Sequence, residues 1–196
     1  MRMLALLTAM VATAAVLGGC AKRVEAEADA RPGPGLAEYY PLAVGNRWVY
    51  AATFLGEKRD QAVEIVKEEG GFFLDSQGGH LTVDAFGVRD EKRYLLREPL
   101  EVGKGWTNVV SVSSVEHYKV IEAGQSCQVP AGRFERCVRV EGRNRVDERT
   151  TLVNELTFAP GVGLVRVAVV AESGEKRIPQ TQLELREYHL AKAGPR

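Results

Sequence analysis

From Trp48 to the end of the chain, apolar and polar residues alternate in short runs separated by turn-forming residues. An extended strand places successive side chains on opposite faces, so a period of two predicts half-buried β-strands. The runs QAVEIVKEE before Gly70-Gly71, HLTVDAFGV after Gly78-Gly79, WTNVVSVSSVEHYKVIEAG, RFERCVRVEG, TTLVNELTFAPG, GLVRVAVVAESG and TQLELREYHL all carry this pattern. No segment holds a helical apolar stripe over about eleven residues or more. Consecutive strands joined by short turns predict a mostly β fold. It is an antiparallel meander of about nine to eleven strands, forming a curved sheet or a partly open β-barrel.

One stretch repeats. PLAVGNRW (Pro41 to Trp48) returns 58 positions later as PLEVGKGW (Pro99 to Trp106). In each copy proline fixes its own φ, Leu and Val alternate toward one face, and Gly offers the positive φ a turn needs before Trp opens a strand. Trp48, Tyr50, Ala52 and Phe54 are expected to share one face, as are Trp106, Val110 and Val112. The repeat is read as a structural corner, because Pro, Gly and Leu are what a corner needs. A ligand platform would need the aromatics alone, and for that role the candidates are Trp48, Tyr50 and Trp106.

The beginning of the chain follows other rules. MRMLALLTAMVATAAVLGGC has a basic start at Arg2, an apolar run from Leu4 to Leu17 and small residues before a cysteine, the layout of a secretory signal over residues 1–20. The apolar run is roughly 14 residues long against the ~20 needed to cross a bilayer. Leu17-Gly18-Gly19-Cys20 resembles the lipobox of bacterial lipoproteins, which implies that Cys20 becomes the first mature residue and carries acyl chains such as palmitate. Each buried CH₂ contributes ~0.8 kcal/mol, so two or more chains hold a protein on a membrane without a transmembrane helix. By similarity to Gram-negative lipoproteins, Ala21 after the cysteine implies the outer membrane, facing the periplasm. Residues 21–38, rich in Ala, charge, Pro and Gly, read as a tether reaching at most about 60 Å. A single β-rich domain is then expected over residues 39–196.

The chain has 26 basic and 26 acidic residues, and losing Arg2 with the signal leaves one more acid than base. That balance gives no global field to draw in nucleic acid, which the expected compartment also argues against. With Cys20 lipidated, Cys127 and Cys137 remain, in SCQVPAGRFERC. In an oxidising periplasm an even remainder invites a disulfide, and a hairpin turning through PAGRF would set the two across from each other. Two reduced thiols and a redox pair are the alternatives, although the spacing is not CxxC.

YYPLAVGNRWVY (Tyr39 to Tyr50), VPAGRFERCVRV (Val129 to Val140) and FAPGVGLVRV (Phe158 to Val167) resemble the three signature segments of a widespread group of uncharacterised bacterial lipoproteins, some called TapB-like. That group reads PLxxGxxWxY, VPAGxFxxCxxV and YxPGVGLV, with Phe158 here where Tyr is common. The resemblance implies a β-rich, partly open barrel similar to periplasmic lipoprotein-carrier folds, and it carries over no catalytic residue.

The sequence holds no GxSxG elbow, HExxH helix, Walker loop or GxGxxG turn. His80, His117 and His189 lie far apart without ligand spacing, so neither a metal site nor a cofactor is expected. Arg133, Arg139, Arg143, Arg145 and Arg149 share odd parity with Glu135, Glu141 and Asp147, opposite Phe134, Val138, Val140 and Val146. A mixed-charge solvent face accounts for them, and an anion patch for a phosphate-bearing glycolipid is the functional alternative. The expectation is a non-catalytic, lipid-anchored envelope protein that binds an apolar or lipid ligand. A scaffold for an envelope protein partner is the second class. An envelope hydrolase, the third, would have to bring His117 or His80 together with carboxylates.

Overall fold

The computed structural model describes residues 35–191. The strands are β1 (Arg47–Phe54), β2 (Glu57–Glu69), β3 (Phe72–Asp75), β4 (His80–Val83), β5 (Gly87–Arg89), β6 (Tyr94–Arg97), β7 (Gly105–Ser111), β8 (Ser114–Val129), β9 (Gly132–Arg145), β10 (Thr150–Ala159), β11 (Gly163–Ser173) and β12 (Lys176–His189). They form one antiparallel sheet in the order β6-β5-β4-β3-β2-β1-β12-β11-β10-β9-β8-β7. The sheet curls into a nearly closed barrel whose one unsealed seam lies between β6 and β7. The expected signal, the expected lipobox cysteine Cys20 and most of the expected tether lie outside the described residues.

Both copies of the repeat build the same corner. In the first, Asn46 N–H donates to Ala43 O at 3.1 Å, Gly45 N–H to Ile65 O at 2.8 Å, and Ile65 N–H to Asn46 O at 2.8 Å. In the second, Lys104 N–H donates to Glu101 O at 3.0 Å, Gly103 N–H to Val120 O at 2.9 Å, and Val120 N–H to Lys104 O at 2.8 Å. Gly45 and Gly103 hold φ of 88° and 89°, a region where a Cβ is strained. The motif therefore docks an incoming turn onto the neighbouring strand. The two corners differ in place, since β1 is flanked by β2 and β12 whereas β7 ends the sheet.

The concave face carries the core. Trp48 and Tyr50 on β1, Ile65 on β2, Tyr118 and Val120 on β8, Val138 and Val140 on β9, Phe158 on β10 and Leu185 on β12 are all buried together. A short helix α1 (Leu36–Tyr39) contacts both β5 and β11, so it lies across the interior and closes one end of the barrel. Leu36, Tyr39 and Tyr40 bury there, with the Tyr40 ring 5.9 Å from Trp48 and 6.2 Å from Phe158. Three residues read as tether thus belong to the fold.

The outer face is polar and paired. Arg139 bonds Glu122 and Glu155, Arg143 bonds Glu172 and approaches Glu141, and Arg166 bonds Glu184. The Arg143–Glu172 pair spans β10 above Val153, which is 1% exposed although it lies outside the main core. The mixed-charge strand face is thus a set of cross-strand ion pairs, and Arg145 caps the carbonyls of Asp147 and Glu148.

Several local expectations are corrected. HLTVDAFGV is two strands because the Asp84 carboxylate accepts from Phe86 N–H at 2.8 Å and Gly87 N–H at 3.1 Å, turning the chain between them. FFLD and YLLR add β3 and β6, which raises the count to twelve. Val112 does not share the face of Trp106 and Val110, since it sits in the turn between β7 and β8. The hairpin after Val129 turns through Pro130-Ala131 alone, with Val129 opposite Gly132. Cys127 and Cys137 form a disulfide with Cα atoms 6.0 Å apart, yet they are not register partners. Cys127 faces Phe134 and Cys137 faces Gln125, because Arg136 at φ 57° and shifts along β8 offset the ladder.

Candidate functional site

Strand lengths decide where the barrel is open. β3 to β6 have only three or four residues each, and β3 pairs with the Ile65–Glu69 half of β2. That half lies at the α1 end. At the far end, where Leu55-Gly56, Val112-Ser113 and Gly174-Glu175 turn, the tall strands continue with no short wall facing them. The concave face there is a trough whose floor follows from register. One row runs Tyr118, Gly142, Asn154, Val169, Thr181, Phe54. The next runs Glu116, Asn144, Leu152, Ala171, Ile178. Phe54, Leu152, Val169 and Ala171 are half-buried, Ile178 is 51% exposed, and none of them joins the packed core.

The seam forms one side of this trough. Asn108, 4% exposed, stands in for a missing strand: Tyr94 N–H donates to its Oδ1 at 3.0 Å and its Nδ2 donates to Tyr94 O at 3.1 Å. Trp106 Nε1 donates to the same carbonyl at 2.9 Å. Two side chains of β7 thus satisfy backbone groups of β6 that a closed barrel would pair by main chain. The Trp106 ring stacks on Tyr118 with centroids 5.6 Å apart, and Tyr118 lies flat on Gly142, where any Cβ would penetrate the phenol ring.

Beside them Glu116 is 4% exposed on the concave face. Arg93 Nη1 stands 3.5 Å from its Oε1, and its Oε2 has no hydrogen-bond partner. Asn144, its register partner, donates from Nδ2 to Ser114 Oγ at 3.4 Å, while its buried Oδ1 is likewise unpartnered. Burial, and then the Glu116 carboxylate, push the Tyr118 phenol up to about 12. This cluster can accept hydrogen bonds at the end of an apolar floor.

The aromatic candidates are differently placed. Trp48 is 1% exposed with Nε1 donating to Val162 O at 2.7 Å, and Tyr50 donates from its hydroxyl to Leu164 O at 2.8 Å. Burial raises the Tyr50 phenol well above its ordinary pKa, with Tyr40 and Asp75 adding to it. A ligand could reach these rings only by displacing the chain's own core. Trp106 is brought to the trough, while Trp48 and Tyr50 are packed under α1 and the β10–β11 turn. Glu116 and Asn108 escaped the sequence reading, although parity marks them: each is a polar residue on an otherwise apolar face.

His80 bonds Glu91 at 2.7 Å, His117 contacts Thr107 Oγ1 at 3.2 Å, and His189 ends β12, so the three do not converge. Among the described residues no group of three His, Cys, Asp or Glu side chains is arranged to hold a metal ion. Also among them, no helix is long and apolar enough to cross a membrane. Two open clefts are also present: one of about 410 Å³ has a mostly charged lining that includes Asp90 and Arg93, and one of about 680 Å³ is lined by Val112 and Val115 as well as Arg143, Arg145 and Glu148.

No family model and no curated protein matches the chain. Two solved structures resemble it. One, regarded as a lipoprotein of Parabacteroides distasonis ATCC 8503, has 13% identity and a TM-score of 0.40, over 77% of this chain and 98% of that one. The other, regarded as an exported protein with a YmcC-like fold from Bacteroides fragilis NCTC 9343, has 11% identity and a TM-score of 0.41, over the same shares. Likeness at that level says nothing of what this chain binds.

Proposed function

We propose that the protein is a lipid-anchored component of the bacterial envelope, held by Cys20 on the outer membrane and facing the periplasm, with a non-catalytic role in binding an apolar or lipid ligand. The lipobox before Cys20 supports the anchor, and the Cys127–Cys137 disulfide is what an oxidising compartment favours. The observation that carries the binding role is the trough: apolar side chains of the concave face continue past the packed core and meet solvent. Burying such a face is favourable at roughly 25 cal/mol per Å², which gives an acyl chain a reason to lie there. The test is native mass spectrometry of the chain exported with Cys20→Ser, so that it is soluble and unacylated. An adduct of fatty-acid or phospholipid mass, lost on denaturation and lost in Ile178→Glu, is expected. A clean protein mass after export through a lipid-rich envelope would end the proposal.

A second reading, a scaffold for an envelope protein partner, rests on the convex side. Val109 and Val115 face each other there at 69% and 39% exposure, with Val112 in the adjoining turn. Such a patch marks contact surfaces. Cross-linking from position 109 in intact cells would trap one partner if this reading holds, and only diffuse products if it does not.

A further inference from the structure

The trough is not uniformly apolar. Across the sheet, Glu116 on β8 faces Asn144 on β9, Asn144 faces Leu152 on β10, Leu152 faces Ala171 on β11, and Ala171 faces Ile178 on β12. One continuous row therefore runs from two polar residues to three aliphatic ones. Four strand steps at about 4.8 Å span roughly 19 Å. At ~1.3 Å per methylene, the zigzag rise of a carbon chain with ~1.5 Å bonds, a tail of about a dozen carbons covers most of that row.

The polar end is selective. Glu116 Oε2 and Asn144 Oδ1 are both buried, both acceptors, and both without a partner. A buried acceptor left unpaired is costly, so on these two atoms a ligand group able to donate is favoured. The charges around it point the same way. Arg93 lies 3.5 Å from Glu116 and 3.2 Å from Asp90, so two carboxylates share one guanidinium, whose Nε is itself buried without a hydrogen-bond partner. From this geometry we infer that the trough takes a single-chain amphiphile whose head is a cationic N–H donor, such as a primary ammonium, seated on Glu116 and Asn144 with its tail along Leu152, Ala171 and Ile178. The inference rests on the trough reading above and adds the chemistry of the head.

The test compares dodecylammonium with dodecanoate, both below their micellar concentrations, on the exported Cys20→Ser chain at neutral pH. The readouts are isothermal calorimetry and the emission of Trp106, whose ring stacks on Tyr118 beside Glu116. The amine is expected to bind about tenfold or more tighter than the acid, the size of one charge-assisted hydrogen bond. Glu116→Gln, which keeps shape and removes the charge, should bring the two within about threefold. Asn144→Asp should widen the gap, and it carries the test if Glu116→Gln does not fold. Equal binding of both amphiphiles, unchanged by either variant, would overturn the head-group assignment and leave the trough reading standing. Binding of neither would overturn both.

Discussion

Replacing Asn108 by Ala removes a side chain that pairs with both the N–H and the C=O of Tyr94 across the seam. Two hydrogen bonds are lost, each with a net value of about 1 kcal/mol. The carbonyl keeps Trp106 Nε1 as a donor, but the Tyr94 N–H is left in a partly buried gap, where an unpartnered group costs about 1–3 kcal/mol. The two overlap, so the total destabilisation is about 2–3 kcal/mol, or a fall of about 5–10 °C in Tm for a domain of this size. Thermal melting followed by circular dichroism measures the fall, and amide exchange at Tyr94 localises it. Trp106→Phe removes the second donor to the same carbonyl, so the double variant should lose more than the sum of the single losses. A melting shift below about 1 °C for Asn108→Ala, with the Tyr94 amide exchanging at its original rate, would show that the seam does not depend on this amide.

Gly142→Ala drives a methyl into the Tyr118 ring and should cost about 1–3 kcal/mol in urea unfolding, with Tyr118→Leu in the same chain recovering part of it. Leu55 holds φ 48° at 75% exposure, a left-handed position at which Asn is tolerated and Leu is not, so Leu55→Asn should raise stability by about 0.5–1 kcal/mol in the same assay. Burial pushes the Asp84 carboxyl up, but donors from Phe86, Arg89, Tyr94 and Gly87 outweigh it and hold the carboxyl below its ordinary range. A depressed folded pKa means that Asp84 contributes stability above the unfolded value of about 3.9 and loses it as pH falls through the folded one. Urea midpoints measured down to about pH 3 should therefore drop more steeply in the parent than in Asp84→Asn.

The meander, the corners and the ion-paired outer face were legible because each rests on local signals: period-two alternation, Pro and Gly at fixed places, and odd-parity charges. The cysteine pair was legible as a pair but not in register, because the Arg136 bulge has no sequence mark. β3 and β6 are four residues long, too short to show a period, and they were missed with the turn at Asp84 that divides HLTVDAFGV. The trough was invisible for a different reason. It exists because β3 to β6 are short where β8 to β12 are tall, and only the folded register places Glu116 in one row with Ile178. Asn108 could have been found, since it shares parity with Trp106 and Val110, but nothing local says that its partner lies on β6.

Sheet order and chain order are out of phase. β12 pairs with β1, so the strands that open and close the amino-acid sequence are zipped together in mid-sheet, while the sheet's own free edges, β6 and β7, are joined by a continuous loop. Reading from β7 through β12 and on from β1 to β6 recovers an up-and-down ribbon in which every neighbour in space is a neighbour in order. The native barrel is therefore a circular permutant of a plain meander. One ladder, β1 against β12, joins strands from opposite ends of the domain, while every other ladder joins consecutive strands. Linking the ends and cutting within Glu98–Lys104 would turn every pairing into a hairpin and speed folding, since long-range closure is the slow step.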